Sequence, residues 1–307
     1  MKLGYFADGL WAHKALDRLL QSEDLTVAFI VARFDQPDPI LREYACRMKI
    51  PFYTQTNVND PGFIRLVHDH QCDIHVSMSF DQIFKKTLIE SAPKGFINCH
   101  AGALPFYRGR NVVNWALING ETQLGITVHY VDEGIDTGDI ILQRFVPIDA
   151  GDDYGTLLTK AVDYCAEILS SALLSIAHGT VTRIPQSSIH PVGFYCSQRK
   201  SGDEWIDWTW PSTRIHNFVR GIATPGPCAR TCAESKELAV LKTELVEHAP
   251  GYLDRPGTVV GLDGHGSIVK TGDTVLRVTK VADVAPLQVL ENERVPRLKI
   301  GTQLKGE

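Results

Sequence analysis

The sequence predicts an α/β protein, with a mostly parallel sheet covered by helices in its first part and a smaller β-rich domain in its second. Three observations carry this. Strand-like apolar runs alternate with helix-period segments from Lys2 to about His178. The alternation stops near Ile184, where Pro185, Pro191, Gly193 and Gly202 interrupt any periodicity. A chain of 307 residues with 44% hydrophobic content is too long for one ordinary core and too short for three. The expected division is a domain over 1–184, a linker over 185–204 and a second domain over 205–307.

The elements follow in order. KLGYFA precedes LWAHKALDRLLQ, TVAFIVA precedes DPILREYACRMK, and IPFYTQ precedes DPGFIRLVHDH. DIHVSMS is followed by FKKTLIESA, and GFINCH by NVVNWALING. Strand runs separated by helical patterns imply crossover units and a parallel sheet buried on both faces. ITVHYVD and DIILQRFVPI add two strands around the loop EGIDTG, and apolar positions at helical spacing predict a helix from about Tyr154 to His178. Beyond the linker, WIDW, the amphipathic PSTRIHNFVRGI, TPGP and the runs ARTCA, ELAVLKTELVE, GTVVGLD, SIVKTG and TVLRVTKV predict a small antiparallel barrel.

Composition narrows the function. The formal net charge is −5 and the basic residues are scattered, which argues against a nucleic-acid partner. No run approaches the roughly 20 apolar residues that cross a bilayer, and MKLGYFADGLW meets Asp8 where a signal peptide is apolar. A cytoplasmic protein without a membrane partner is expected. Seven widely spaced cysteines suit a reducing compartment, and Cys228 and Cys232 have no second pair to complete a zinc site. No metal is expected.

Ligands of doubly wound sheets sit beyond the carboxyl ends of the strands. After the first strand the chain reads FADGLW, with Gly9 alone, and neither a G-x-G-x-x-G nor a G-x-x-x-x-G-K-[ST] pattern occurs. Dinucleotide and Walker-type chemistry are disfavoured. Strand five instead ends in Asn98-Cys99-His100, and strand alternation puts Asn98 and His100 on one face. An amide and an imidazole side by side suit the charge that builds on a carbonyl oxygen in acyl transfer. The loop AGALPFYRGRN follows, held by Pro105 and Gly109, and Arg108 and Arg110 beside the next helix start suggest an anion site. Asp132, Glu133, Asp136 and Asp139 put four carboxylates in eight residues, without EF-hand spacing. One of them beside His100 would orient the imidazole and accept a proton. Spacing alone does not decide which.

These residues resemble the folate-dependent formyltransferases. The likeness rests on INCHAGALPFYRGRN, GITVHYVDEGIDTGDIILQ and IDWTWPSTRIHNFVRGIATPGP, in that order, and covers nearly the whole chain. It implies a Rossmann-like, mostly parallel N-terminal domain and a small β-barrel (OB-like) C-terminal domain. It implies 10-formyltetrahydrofolate as co-substrate and a catalytic trio of Asn98, His100 and Asp136. Family members usually carry Ser or Thr two residues after the His, where this chain has Gly102. By the same resemblance the pterin lies between the Ser79–Phe84 loop and the Val131–Asp136 loop, with Phe80, Asp81, Gln82, Ile83, Asp132 and Gly134 as contacts. Gly9, Trp11, His13, Arg108 and Arg110 are candidate contacts to the acceptor.

Three acceptor classes are known for such enzymes. The tRNA enzymes carry a basic insertion after strand two, for which VARFDQPDPILREYACRMKIPFYTQ has no room, and the glycinamide ribonucleotide enzymes lack a second domain. The expected acceptor is therefore a nucleoside-diphosphate-linked amino sugar, a 4-amino-4-deoxy sugar for a bacterial surface polysaccharide. Methionyl-tRNA is the runner-up, and hydrolysis of formyltetrahydrofolate is the reading in which water replaces the amine. The exposed-strand potential of the barrel suggests a homodimer.

Overall fold

The computed structural model describes residues 1–285 and 288–306. These residues fall into two units, each built on its own sheet: Met1–Val112, Gln123–Pro147 and Thr159–Cys196 form one, and Val113–Thr122, Ile148–Leu158 and Ser197–Glu307 the other.

The first unit opens with β1 (Lys2–Ala7), α1 (Gly9–Leu20), β2 (Thr26–Ala32), α2 (Pro39–Met48), β3 (Phe52–Thr54), α3 (Pro61–Asp69), β4 (Ile74–Met78), α4 (Lys86–Ile89) and β5 (Phe96–His100). Two helices start alike, because the sequence repeats Asp-Pro. The Asp38 and Asp60 carboxylates accept N–H groups of the first turn, while Pro39 and Pro61 occupy positions whose N–H would have no helical partner. The FKKTLIESA run was expected to be a longer helix; only Lys86–Ile89 is helical. After β6 (Arg108–Gly109) the chain forms α5 (Val112–Ile118), nearly all of which belongs to the second unit, then β7 (Gln123–Tyr130), β8 (Ile140–Pro147) and α6 (Tyr154–Ala177), whose start also belongs to the second.

Among the described residues the sheet order is β3-β2-β1-β4-β5-β7-β8. The first five strands pair parallel, while β5–β7 and β7–β8 pair antiparallel, so the sheet is mixed and mostly parallel. Strand order reverses between β1 and β4, the kind of switch point beyond whose carboxyl ends doubly wound sheets bind ligands. β1 shows why its run is continuously apolar. Leu3, Tyr5 and Ala7 pack into the core that contains Leu16 of α1 and Leu169 of α6, while Phe6 packs with Phe29, Phe63, Leu88 and Phe96 on the opposite side. Beyond α6, β9 (Tyr195–Cys196) pairs in parallel with β6.

In the second unit, α7 (Ser212–Gly221) packs Ile215, Phe218 and Val219 into a core with Trp208, Val240, Val269 and Leu276. Its antiparallel sheet uses β10 (Ala229–Ala233), β11 (Lys236–Leu245), β12 (Val259–Asp263), β13 (Gly266–Lys270), β14 (Val275–Ala285), β15 (Gln288–Val289) and β16 (Leu304–Lys305). The path β12-β13-β14-β11-β10-β16 returns on itself through a bridge between Thr258 and Gln303, supported by the Val259 N–H to Thr302 carbonyl bond at 2.9 Å. That contact brings the two ends of the path together, as the run of short strands anticipates.

Candidate active site

β5 and β7 lie side by side, and their register sets Asn98 opposite His129 and His100 opposite Thr127. Alternation puts all four side chains on one face of the sheet. Asp136 comes from the loop after β7. Its φ of 54° is left-handed, a region Asp tolerates better than most residues, and its Oδ2 accepts the Gly109 N–H at 2.9 Å.

The carboxylate sits between two imidazoles. His100 Nδ1 is 3.7 Å from Asp136 Oδ2, and His129 Nε2 is 3.5 Å from Oδ1. Each ring is anchored by its other nitrogen: His100 Nε2 donates to the Tyr107 carbonyl at 2.6 Å, and His129 Nδ1 donates to the Tyr130 carbonyl at 2.8 Å. Asn98 Nδ2 lies 3.3 Å from His129 Nε2. Burial by itself would raise the Asp136 pKa. His100 above all, with the Gly109 N–H, outweighs that and holds the carboxyl well below its usual range. Burial draws the His100 pKa down, opposed by Asp136 and by the Tyr107 carbonyl. The arrangement is an ionised acid with a basic nitrogen facing it, beside an amide donor.

Gly102 has a local explanation. A Cβ there would stand 2.4 Å from the Tyr107 carbonyl oxygen and 2.6 Å from His100 Nε2. The hydrogen bond between those two groups thus occupies the room a side chain would take. The Gly102 carbonyl is tied from below by the Thr127 hydroxyl at 2.7 Å, which also receives Gln143 Nε2 at 2.8 Å.

Of the four loop carboxylates, Asp136 is the one brought to His100. Asp132 instead closes its own turn, accepting the Gly134 N–H and the Thr137 hydroxyl. A Cβ on Gly134 would meet the Thr137 hydroxyl oxygen at 2.0 Å, so a side chain there would displace Thr137 from Asp132. His129 was not anticipated. Its one sequence signal is a histidine sharing strand parity with Thr127 and lying seven residues before Asp136, but only the β5–β7 register reveals what it faces.

The remaining candidates divide. Phe80 stacks on Phe84 and, with Val131, packs on the cluster of Phe6, Phe84 and Phe96, so the Ser79–Phe84 loop and the start of the Val131–Asp136 loop share one apolar floor. Ile83 and Ile135 are exposed, leaving apolar surface suited to a flat heterocycle. Asp81 lies 3.5 Å from Arg33. Gln82 is committed internally, accepting the Val58 N–H and donating to the Gln55 carbonyl. The Gly9 N–H and His13 Nε2 both bind Asp38 Oδ2, at 3.0 and 2.8 Å, and Trp11 is half-buried. Arg108, expected at an anion site, requires correction. It is buried, donates to Gln186 Oε1 from Nε and Nη2 and to the Val192 carbonyl from Nη1, and braces the 186–195 segment; Arg110 is exposed.

Residues 6–173 match the family model described as "Formyl transferase", and residues 199–289 match "Formyl transferase, C-terminal domain". The chain belongs to the formyl transferase family. It is 32% identical over 289 residues to the methionyl-tRNA formyltransferase of Syntrophus aciditrophicus (strain SB), covering 91% of each chain. It is 27% identical over 314 residues to that of Ruminiclostridium cellulolyticum, covering 100% of this chain and 96% of the relative. Among solved structures it shares its fold with a sugar 3N-formyl transferase crystallised in the presence of dTDP and 5-N-formyl-THF, with a TM-score of 0.66 at 22% identity over 91% of this chain and 97% of the other. The N-formyltransferase from Helicobacter canadensis, in complex with folinic acid and dTDP-3-aminofucose, gives a TM-score of 0.68 at 21% identity over 91% and 99%. As a formyltransferase the protein takes its formyl group from a formyl-tetrahydrofolate. Among the described residues no helix is long and apolar enough to cross a membrane.

Proposed function

We propose that this formyltransferase formylates the amine of a nucleoside-diphosphate-linked amino sugar, with Asn98, His100 and Asp136 as its catalytic residues. The observation that carries the chemistry is Asp136 held ionised between two imidazoles, with the Asn98 amide alongside. The co-substrate supplies a formyl group on a nitrogen able to leave. Asn98 directs an N–H at the oxygen that gains charge as the acceptor amine adds. Asp136 accepts the amine's proton, and His100 Nδ1, 3.7 Å from it, is the base that shares it, placing positive charge near the oxyanion. The same proton then returns to the departing nitrogen, so no net proton is gained or lost. Attack is direct, and no covalent enzyme intermediate is required.

The sugar acceptor is supported by the short passage from β2 to α2, which spans Arg33 to Asp38 without a basic insertion, and by the net charge of −5. The two structural neighbours named for amino-sugar substrates also cover nearly the whole chain. The position of the amine is expected to be C4, whereas those neighbours are named for 3-amino sugars. Methionyl-tRNA is the second reading, favoured by about 30% identity to the curated relatives. The test is 10-formyltetrahydrofolate with dTDP-, UDP- and GDP-linked 3- and 4-amino sugars, and separately with methionyl initiator tRNA. Tetrahydrofolate release that depends on a 4-amino sugar nucleotide is the expected result. Turnover with the tRNA alone overturns the sugar reading, and release without any amine indicates a hydrolase.

A further inference from the structure

We propose that His129 is a positioning residue for Asn98: its unprotonated Nε2 accepts a hydrogen bond from Asn98 Nδ2 and fixes which end of the amide faces the reacting carbon. The inference rests on the formyl-transfer reading of the Asn98, His100 and Asp136 site.

The tautomer follows from the ring's other contact. Nδ1 is 2.8 Å from the Tyr130 carbonyl, which only accepts, so Nδ1 carries the proton and a neutral ring presents a lone pair at Nε2. Two groups approach that nitrogen: Asn98 Nδ2 at 3.3 Å and Asp136 Oδ1 at 3.5 Å. A ring nitrogen has a single in-plane site, holding either a lone pair or a proton. A proton would serve Asp136 and require the amide to turn its oxygen inward. A lone pair serves the amide nitrogen, which is the end the structure turns toward His129.

The consequence reaches the chemistry. Among the described residues no other side chain holds the Asn98 amide. Unheld, its two orientations differ by half a turn about one bond, and one of them presents an oxygen to the developing oxyanion. With one N–H spent on His129, the amide's second N–H projects from the same nitrogen and stays available as an oxyanion donor. Asn98 and His129 are a direct cross-strand pair, so the backbone sets their spacing in advance.

The test is a double-mutant cycle with a spectroscopic arm. Using the acceptor that turns over in the panel above, N98A should lower kcat by about 10²–10³. H129L should lower it about tenfold to a hundredfold with the KM for 10-formyltetrahydrofolate unchanged. H129Q, whose amide oxygen can accept the same bond, should recover most of that loss. H129L should add little in the N98A background, because nothing remains to position. In 15N spectra of the uncomplexed wild-type protein, His129 Nε2 should show the unprotonated signature and Nδ1 the protonated one, which needs no acceptor. A protonated Nε2, full kcat in H129L, or additive losses would overturn the proposal. N98A at the wild-type rate would overturn the active-site reading itself, and this proposal with it, whereas an inactive N98A beside a fully active H129L removes only the role of His129.

Discussion

The protein buries charge in two places and treats it in two ways. In the second unit, Lys270 at the end of β13 is 1% exposed, and its ammonium donates to the carbonyls of Thr271, Asp273 and Thr274 at 2.7, 3.3 and 3.3 Å, with the Tyr252 ring 4.6 Å away. Its three N–H donors meet three acceptors. In the first unit, the Asp136 side chain is 13% exposed, and the imidazoles beside it stand 3.5 and 3.7 Å away, beyond good hydrogen-bond distance. A buried charge that only supports the fold is saturated, because each missing partner costs stability. A charge faced by imidazoles rather than by fixed donors stays ionised beside groups that can themselves take up a proton. The difference separates a strut from a site.

Breaking the second arrangement should produce the largest effect. Asp136→Asn preserves the size and the acceptor for the Gly109 N–H but removes the base, so kcat for formyl transfer should fall by about 10²–10⁴. Its urea midpoint should change little. A loss of stability matching the loss of activity would make Asp136 another strut. Next comes Lys270→Met, which leaves three buried carbonyls without their donor. It should lower unfolding free energy by about 3 kcal/mol while kcat stays at the wild-type value, as measured by urea unfolding beside the formyl-transfer assay.

A third group sharpens the comparison because it is buried without being saturated. His75 packs among Phe6, Phe29 and Phe96, donates or accepts only at Nε2 toward Ser91, and leaves Nδ1 buried without a partner. Burial pulls its pKa down from 6.5 to about 4. The unfolded chain therefore takes up a proton that the folded chain refuses. Its contribution to stability is complete above pH 6.5 and is lost as pH falls from there to about 4, a total of about 3 kcal/mol. Unfolding free energies of wild type and His75→Leu, compared at pH 7 and pH 4.5, should show a steeper acid loss in the wild type. Equal slopes would mean that His75 is protonated in the native state.

Much of the fold was legible because it rests on local chemistry. Asp38-Pro39 and Asp60-Pro61 announce helix starts, and KLGYFA and TVAFIVA are apolar on both faces because both faces are covered. The site was legible in part. Asn98 and His100 belong to one strand, so their shared face follows from alternation. Asp136 was singled out among four carboxylates by family resemblance, since spacing could not choose. Arg108 was misread: an arginine in a Gly/Pro loop looks like an anion ligand until Gln186, 78 residues away, is seen holding it.

The sequence by itself determined most of the strands and helices, and that an amide and an imidazole share a strand face, because these depend on neighbours a few positions apart. Tertiary structure decided that His129 meets Asn98 across 31 residues, that Asp136 enters between two rings, and that the Tyr107 carbonyl fills the room at Gly102. Those outcomes depend on strand register and loop closure. They are set by the total packing of distant segments, and no local pattern encodes the distance between two side chains that only the sheet brings together.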